Sequence, residues 1–234
     1  MAIDRSEEPE PAESARREVR EEPANEDREA LYSRLWEAAD RQEFSSVMDR
    51  LRNEVQPKVR AVVEETRDSV PGAALVGLEF ELKGEERYWQ KTEGFMRDRP
   101  ELSPMRAAAM VSDGLRYTYQ FAAEDYVDGH NRVCGLLESK GLSLEHRWNA
   151  WASQDYKGVN TRWRTAEGDL FEVQFHTPES FAAKQETHAA YERLRDPKVS
   201  DADKESLEEE QREVSARVSI PEGVEELQDY RKRG

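Results

Sequence analysis

The chain has 234 residues, of which 37% are charged, and its formal net charge at pH 7 is −16. A composition this acidic argues against general binding to nucleic acid or to anionic membranes, because phosphate contacts need a basic surface. A local basic pocket within an acidic protein remains compatible with these values.

The compartment is predicted from what the sequence lacks. The single cysteine, Cys134, excludes an internal disulfide framework and gives no zinc-ligand spacing. No stretch approaches a transmembrane span, and the N-terminus lacks the apolar core of a signal peptide. We therefore expect a cytoplasmic protein with no membrane and no DNA partner, while secretion by a leaderless route, or after removal of a leader, stays open.

The first 70 residues divide by composition. Residues 1–27 are rich in Glu, Arg, Pro and Ala and nearly lack large apolar side chains, which predicts a disordered acidic leader. In residues 28–70 apolar side chains recur at helical spacing, and Pro57 is expected to kink or restart the helix. This segment is predicted to be a helical arm, which either packs on a core or serves as an oligomerisation or partner-binding surface.

Residues 71–197 alternate between strand and helix patterns and predict an α/β domain. We expect strands over 74–82, 115–121 and around 144–151, helices over 83–97 and 124–140, and a helix from Pro178 onwards. Ser103 is a predicted N-cap, and Gly141 is a predicted helix terminator. Residues 198–234 are predicted to be a charged helical tail, loosely held at its end.

The most informative stretch is the hairpin that ends this domain. From Leu170 to Thr177 apolar and polar side chains alternate strictly, which predicts a strand with one buried face. The apolar face carries Phe171, Val173 and Phe175, and the polar face carries Glu172, Gln174 and His176. A carboxylate, an amide and an imidazole in a row suit a strand that floors a cleft, although a half-exposed hairpin has the same period.

Charged residues upstream suggest what such a cleft could bind. Lys83, Arg87 and Lys91 fall four apart and share a helical face, where they repel one another unless an anion lies there or the face is simply solvated. Asp113 precedes one strand and Glu172 lies within another. Two carboxylates beside several cations suit a metal-bound polyphosphate, since oxygen ligands hold Mg²⁺ and cations neutralise phosphate oxygens.

Five short segments then carry a resemblance to a family. KGEERYWQK, DGLRYT, YKGVN, FEVQFHTPESF and THAAYE occur in the order found in the RelA/SpoT-type alarmone synthetase domain, over roughly residues 75–195. The chain resembles most the small, single-domain, toxin-like bacterial branch. The resemblance implies a mixed sheet of about five strands flanked by helices, and transfer of the β,γ-pyrophosphate of ATP to the 3′-hydroxyl of a nucleotide with Mg²⁺.

The resemblance also implies roles for individual residues. Asp113 and Glu172 would hold Mg²⁺, and Glu172 would polarise or deprotonate the attacking hydroxyl. ATP would be bound by Lys83, Arg87, Lys91 and Arg116, the last lying against the adenine. The acceptor side would be lined by Tyr156, Lys157, Gly158, Val159, Asn160, Gln174, His176 and His188.

Some positions depart from the family's pattern. Glu81 stands where an Arg is usual, and Arg87 stands where a Ser is common. Either Arg87 replaces the lost cation or donor binding is weaker. Val159 stands where the guanine-using members are expected to have an aromatic ring, which predicts a relaxed acceptor range with adenine nucleotides included. No HD-type hydrolase motif is found, so degradation of the product is not expected.

Two alternatives to a free nucleotide acceptor stay open. An enzyme that modifies the 3′ end of tRNA would need a basic docking surface, which a net charge of −16 disfavours. A non-enzymatic nucleotide sensor of the same fold would have no need to retain both carboxylates. The predicted partners are ATP and a purine nucleotide, and the toxin-like branch also allows for an antitoxin or immunity protein.

Overall fold

A computed structural model of the chain describes residues 25–195 and 198–232, with side chains from residue 37 onwards. The chain divides into two units, residues 1–39 and 40–234, and the described part of the first unit is helical. The predicted leader, residues 1–27, lies outside the described residues except for 25–27. None of the described helices combines the length and the apolar composition that a membrane crossing needs.

The N-terminal helices are joined by a widened turn. Helix α1, Asn25–Arg50, is followed by a π-helical turn, Leu51–Val55, and by helix α2, Gln56–Ser69. The Gln56 amide donates to the carbonyl of Leu51, five residues earlier, just before Pro57 at the start of α2. A wide turn accommodates a proline that lacks an N–H, so the chain continues as a helix here. The apolar stripe is buried and consists of Phe44, Met48, Leu51, Val55, Val59 and Val63.

One mixed sheet forms the centre of the second unit. Its strands are β1 (Ala74–Val76), β2 (Arg116–Gln120), β3 (Ser143–Asn149), β4 (Val159–Arg164), β5 (Leu170–His176) and β6 (Tyr230–Arg231). The spatial order is β1-β2-β5-β4-β3-β6, and β2 and β5 are the parallel neighbours among antiparallel pairs. The predicted mixed sheet with flanking helices is confirmed, and the C-terminal segment adds a sixth strand.

The remaining helices lie between and after the strands. They are α3 (Glu85–Asp98), α4 (Pro104–Ala108), α5 (Tyr126–Ser139), α6 (Pro178–Glu186), α7 (His188–Leu194) and α8 (Asp201–Ser215). Ser103 caps α4 as predicted, since its hydroxyl accepts from the Arg106 amide. The single helix predicted from Pro178 is wrong, because the chain breaks at Thr187 into α6 and α7.

Two further expectations are wrong. The first strand does not extend to residue 82, because Gly77 has a left-handed φ of 66° and a 3₁₀ turn, Leu78–Phe80, follows. The C-terminal segment, described up to residue 232, is not loosely held, since Val224 and Leu227 are buried and β6 pairs with β3. Burying these apolar side chains fixes the C-terminal segment against the sheet edge.

The two faces of the sheet differ as the hairpin pattern predicts. Phe171, Val173 and Phe175 are fully buried and form one face of the core. Glu172, Gln174 and His176 point to the opposite face, which we call the site face. Strand register places paired residues of neighbouring strands on the same face, so the side chains that accompany Glu172 can be read from the pairing.

Candidate active site

The site is centred on two carboxylates joined by one guanidinium. Arg116 lies directly opposite Glu172, where parallel strands β2 and β5 pair. Its Nε donates to Glu172 Oε1 at 3.0 Å, and its Nη2 donates to Asp113 Oδ2 at 3.1 Å. Asp113 and Glu172, the predicted catalytic pair, therefore lie close together. Arg116 lies between the two carboxylates and is hydrogen-bonded to both.

Three cations converge on Asp113. Lys83 and Lys91 place their Nζ atoms 3.2 and 2.6 Å from Asp113 Oδ2, in addition to Arg116. Burial alone would raise the pKa of Asp113, but Lys83, Lys91 and Arg116 outweigh it and lower the pKa to about 2. Burial lowers the pKa of Lys83, partly offset by Asp113. Asp113 thus stays ionised and pairs with Lys83 and Lys91. An anion of higher charge could replace Asp113 as the partner of these lysines.

These lysines border a cavity of about 180 Å³ between α3 and α7. The cavity is lined by Lys83, Arg87, Gln90, Lys91, Glu192 and Arg195. The guanidinium of Arg87, one of these lining residues, pairs with Glu192 of α7. Four cations around one acid make the cavity suitable for a polyphosphate.

Glu81, the unexpected acid, does not belong to this cluster. Its Oε1 accepts from Gln56 Nε2 at 2.5 Å and from Arg60 Nη1 at 3.0 Å, both on α2. The negative charge of Glu81 is thereby paired with Arg60, so Glu81 does not neutralise the lysines of the cavity.

Glu172 has further polar neighbours on the site face. Gln174 Nε2 donates to Glu172 Oε1 at 2.6 Å, and Lys184 Nζ of α6 donates to Gln174 Oε1 at 2.5 Å. Burial, together with the charge of Arg116, lowers the pKa of Lys184 to about 8. Lys184 is thus a partly buried cation close to the predicted base, and sequence patterns gave no sign of it.

The loop between β3 and β4 carries Tyr156. The Tyr156 hydroxyl lies 2.9 Å from Asn160 Oδ1 and 2.9 Å from His176 Nε2, and His176 Nδ1 lies 2.9 Å from Ser180 Oγ. Burial, with a further contribution from Lys184, lowers the pKa of His176 to about 3, so its ring is neutral and positions Tyr156.

Two other loop residues brace the backbone. Lys157 Nζ donates to the carbonyls of Trp151 at 3.0 Å and Ser153 at 2.5 Å, so it stabilises the loop from within. Gly158 has a φ of 155°, and a Cβ there would lie 2.9 Å from the carbonyl oxygen of Phe175. The close approach of the loop to β5 therefore requires glycine.

Two of the predicted acceptor residues lie elsewhere. Val159 pairs with Phe175 and is fully buried in the core, so its side chain does not face the site. The relaxed acceptor range predicted from Val159 therefore has no basis in the position of this side chain and stays a prediction. His188 is exposed at the first position of α7, and no contact joins it to the site within the described ranges.

An aromatic side chain that sequence reasoning missed lies on the site face. Trp148 pairs with Asn160, which pairs with Gln174, so all three share that face. Its ring stacks on Tyr156 with centroids 6.0 Å apart and an interplanar angle of 12°, and Trp148 is 42% exposed. The pair offers an open aromatic surface to a planar ligand.

The two carboxylates are candidate ligands for the Mg²⁺ that the family resemblance implies. Asp113 and Glu172 offer hard oxygen atoms on either side of a single cationic group, Arg116. No cluster of three or more metal-binding side chains occurs among the residues described. Two carboxylates fit Mg²⁺, which usually takes one or two of them together with substrate phosphates and water.

Comparison with known proteins gave matches among solved structures alone. No protein-family model matches the chain, and no curated protein matches it in sequence. One match is the crystal structure of the complex between the Type VI effector Tas1 and its immunity protein. The sequence identity is 20%, the match covers 75% of this chain and 95% of the other, and the TM-score is 0.49.

Two further matches have lower scores. The small alarmone synthetase 1 from Bacillus subtilis, bound to its product pppGpp, is 13% identical over 70% of this chain and 84% of its own, with a TM-score of 0.44. A GTP pyrophosphokinase family protein from Streptococcus pneumoniae is 14% identical over 77% and 88%, with a TM-score of 0.44.

Proposed function

We propose that the chain is an ATP-dependent nucleotide 3′-pyrophosphokinase. The observation that carries the proposal is the joining of Asp113 and Glu172 through Arg116, with Lys83 and Lys91 on the Asp113 side. One acid lies among cations that suit a triphosphate, and the other lies on an open strand face. A donor and an acceptor can therefore meet between them.

The donor is assigned to the cavity beside α3. Lys83, Lys91 and Arg87 would bind the triphosphate of ATP, exchanging their present carboxylate partners for phosphate oxygens. Lys91 is the more exposed of the two lysines, with 33% of its side chain accessible against 15% for Lys83. It is the cation that we expect to reach the phosphates with the smallest movement.

Asp113 and Glu172 are proposed to hold Mg²⁺. When bound, the ion would neutralise phosphate charge and polarise the reacting phosphoryl group. Arg116 now lies between the two acids, so binding of a cation there requires its guanidinium to move. Arg116 would then be available to lie against the adenine of the donor.

Glu172 is proposed to accept the proton of the acceptor's 3′-hydroxyl. The 3′-oxygen forms a bond to the β-phosphorus of ATP, and the bond from that phosphorus to the α,β-bridging oxygen breaks. AMP leaves with the electron pair of the broken bond, and the acceptor carries the pyrophosphate. Gln174 and Lys184 hold the carboxylate in place and moderate its charge during the transfer.

The acceptor is proposed to be a purine nucleotide. The exposed ring of Trp148, supported by Tyr156, suits stacking on a purine, and stacking does not read the base edge. We therefore retain adenine nucleotides, and guanine nucleotides with them, as acceptors, giving (p)ppApp- and (p)ppGpp-type products.

One transfer assay tests the proposal and its alternatives. The purified full chain is incubated with γ-labelled ATP, Mg²⁺ and separate pools of AMP, ADP, GDP, GTP and deacylated tRNA. Label in a nucleotide product together with release of AMP supports the proposal. Label in tRNA alone would show that the acceptor is the 3′ end of tRNA and not a free nucleotide. Binding of nucleotide without any transfer would favour a non-enzymatic sensor.

A further inference from the structure

A row of basic side chains crosses the site face on the side of Glu172 away from the donor cavity. Arg162 of β4 lies directly opposite Glu172, His146 of β3 opposite Arg162, and Arg231 of β6 opposite His146. Arg116 lies opposite Glu172 on its other side. Neighbouring strands are about 4.8 Å apart, so the basic row extends about 15 Å from Glu172.

The arginines of this row lack carboxylate partners. Arg162 and Arg231 are exposed, and neither side chain forms a hydrogen bond or ion pair within the portion of the chain that is described. Arg164, two residues along the same strand and on the same face, is paired with Glu145 at 3.3 Å. Although acidic residues outnumber Lys and Arg by 51 to 35 in this chain, the two arginines of this row are left without a carboxylate partner among the described residues.

The imidazole between them is affected by the same charges. Burial lowers the pKa of His146, and Arg162 and Arg231 lower it further, while Asp229 acts in the opposite sense. Asp229 itself accepts the backbone N–H of Asn149 at 2.7 Å. The charges of Arg162 and Arg231 thus disfavour a cationic His146, and an anion bound between the two arginines would relieve their repulsion.

A β-bulge creates the row. The register of β3 against β4 shifts between Leu144 and His146, so Glu145 is the extra residue. Without the shift Glu145 would lie opposite Arg162 and neutralise it, and His146 would point to the core face. The bulge instead directs Glu145 to Arg164 and leaves Arg162 available.

We propose that Arg162, His146 and Arg231 bind the 5′-phosphate chain of the acceptor nucleotide and so select acceptors with more than one phosphate, an inference that rests on the proposed function. With the 3′-hydroxyl at Glu172, the ribose carries the 5′-phosphates about one strand spacing further along the face, over Arg162. The second phosphate then lies over His146, flanked by Arg162 and Arg231, so both guanidinium groups bind it, while a monophosphate meets Arg162 alone. Guanidinium groups bind phosphate oxygens through paired hydrogen bonds.

The test measures binding to the full chain with the donor site filled. An ATP analogue with a methylene group in place of the α,β-bridging oxygen occupies the donor cavity and cannot transfer pyrophosphate. Guanosine and adenosine mono- and diphosphates are then titrated by calorimetry. We expect each diphosphate to bind at least tenfold more tightly than its monophosphate.

Variants then separate the row from its surroundings. Arg162→Gln and Arg231→Gln should each weaken diphosphate binding roughly tenfold to a hundredfold and monophosphate binding less, as expected for lost charge-assisted hydrogen bonds. Arg164→Gln is the matched control, because the side chain of Arg164 is already paired with Glu145. It should leave the affinities for the mono- and the diphosphate within about twofold of the wild type. Thermal unfolding identifies any variant that fails to fold. If Arg162→Gln or Arg231→Gln fails to fold, the other variant still tests the row.

Each outcome decides one question. Equal loss for mono- and diphosphates, or equal effects of Arg162→Gln and Arg164→Gln, overturns the row as a phosphate site even if transfer activity is intact. Phosphate-number-dependent binding without any transfer supports the row and refutes the proposed reaction. The two proposals therefore fail separately.

Discussion

Replacing Asp113 with Asn should destabilise the protein in a manner that depends on pH. The three cations around this carboxylate lower its pKa from 3.8 to about 2. Because the pKa in the folded state is the lower one, the contribution of Asp113 is present above about pH 4 and is lost as pH falls toward 2. A shift of this size corresponds to about 2 kcal/mol in the free energy of unfolding at pH 7.

Urea unfolding of the wild type and Asp113→Asn, from pH 7 down to pH 2, measures this contribution. The gap of about 2 kcal/mol should narrow below pH 4 and close near pH 2, where the wild-type carboxyl also becomes neutral. Asp169→Asn serves as control, because Asp169 pairs with the half-exposed Arg50 and should contribute less than about 1 kcal/mol. A gap that stays constant over this pH range would show that the cations do not stabilise the charge of Asp113.

Three further predictions concern the donor, the acceptor and the leader. Lys91→Ala should raise the KM for ATP with little change in kcat in steady-state kinetics, and an unchanged KM would mean that the basic face of α3 is only solvated. Trp148→Ala should raise the KM for the acceptor by roughly tenfold, as expected for lost base stacking of about 1–3 kcal/mol, while the KM for ATP stays constant; equal changes in both would refute the assignment. Deleting residues 1–27 should leave activity and Tm unchanged, since their composition provides little to pack, and a fall of several degrees in Tm would contradict this.

The central features of the fold and site follow from local patterns. The alternation from Leu170 to Thr177 predicts which side chains of β5 are buried, because a strand with one apolar face has a period of two. The motif resemblance names Asp113 and Glu172, and both lie at the shared guanidinium of Arg116. Their roles as ligand and base stay predictions.

Features that depend on register could not be predicted. The face on which Trp148 lies is set by the bulge at Glu145, and a slip of one residue would have reversed it. The position of Val159 directly after Gly158 predicts an acceptor-binding role, yet the alternation of β4 directs its side chain to the core. Arg231 lies on the site face because β6 pairs with β3, more than 80 residues earlier in the chain. Strand β6 has only two residues, which is too short for a periodic pattern that would predict a strand.

The most direct test of the account is a comparison of Glu172→Gln with Glu145→Gln in the transfer assay. Both changes remove one carboxylate charge, and Glu145 lies at the neighbouring bulge, where it pairs with Arg164 and Lys232. We predict that Glu172→Gln lowers kcat by a factor of about 100 or more with unchanged thermal unfolding, and that Glu145→Gln retains nearly wild-type activity. Activity of Glu172→Gln close to wild type would contradict the assignment of this site.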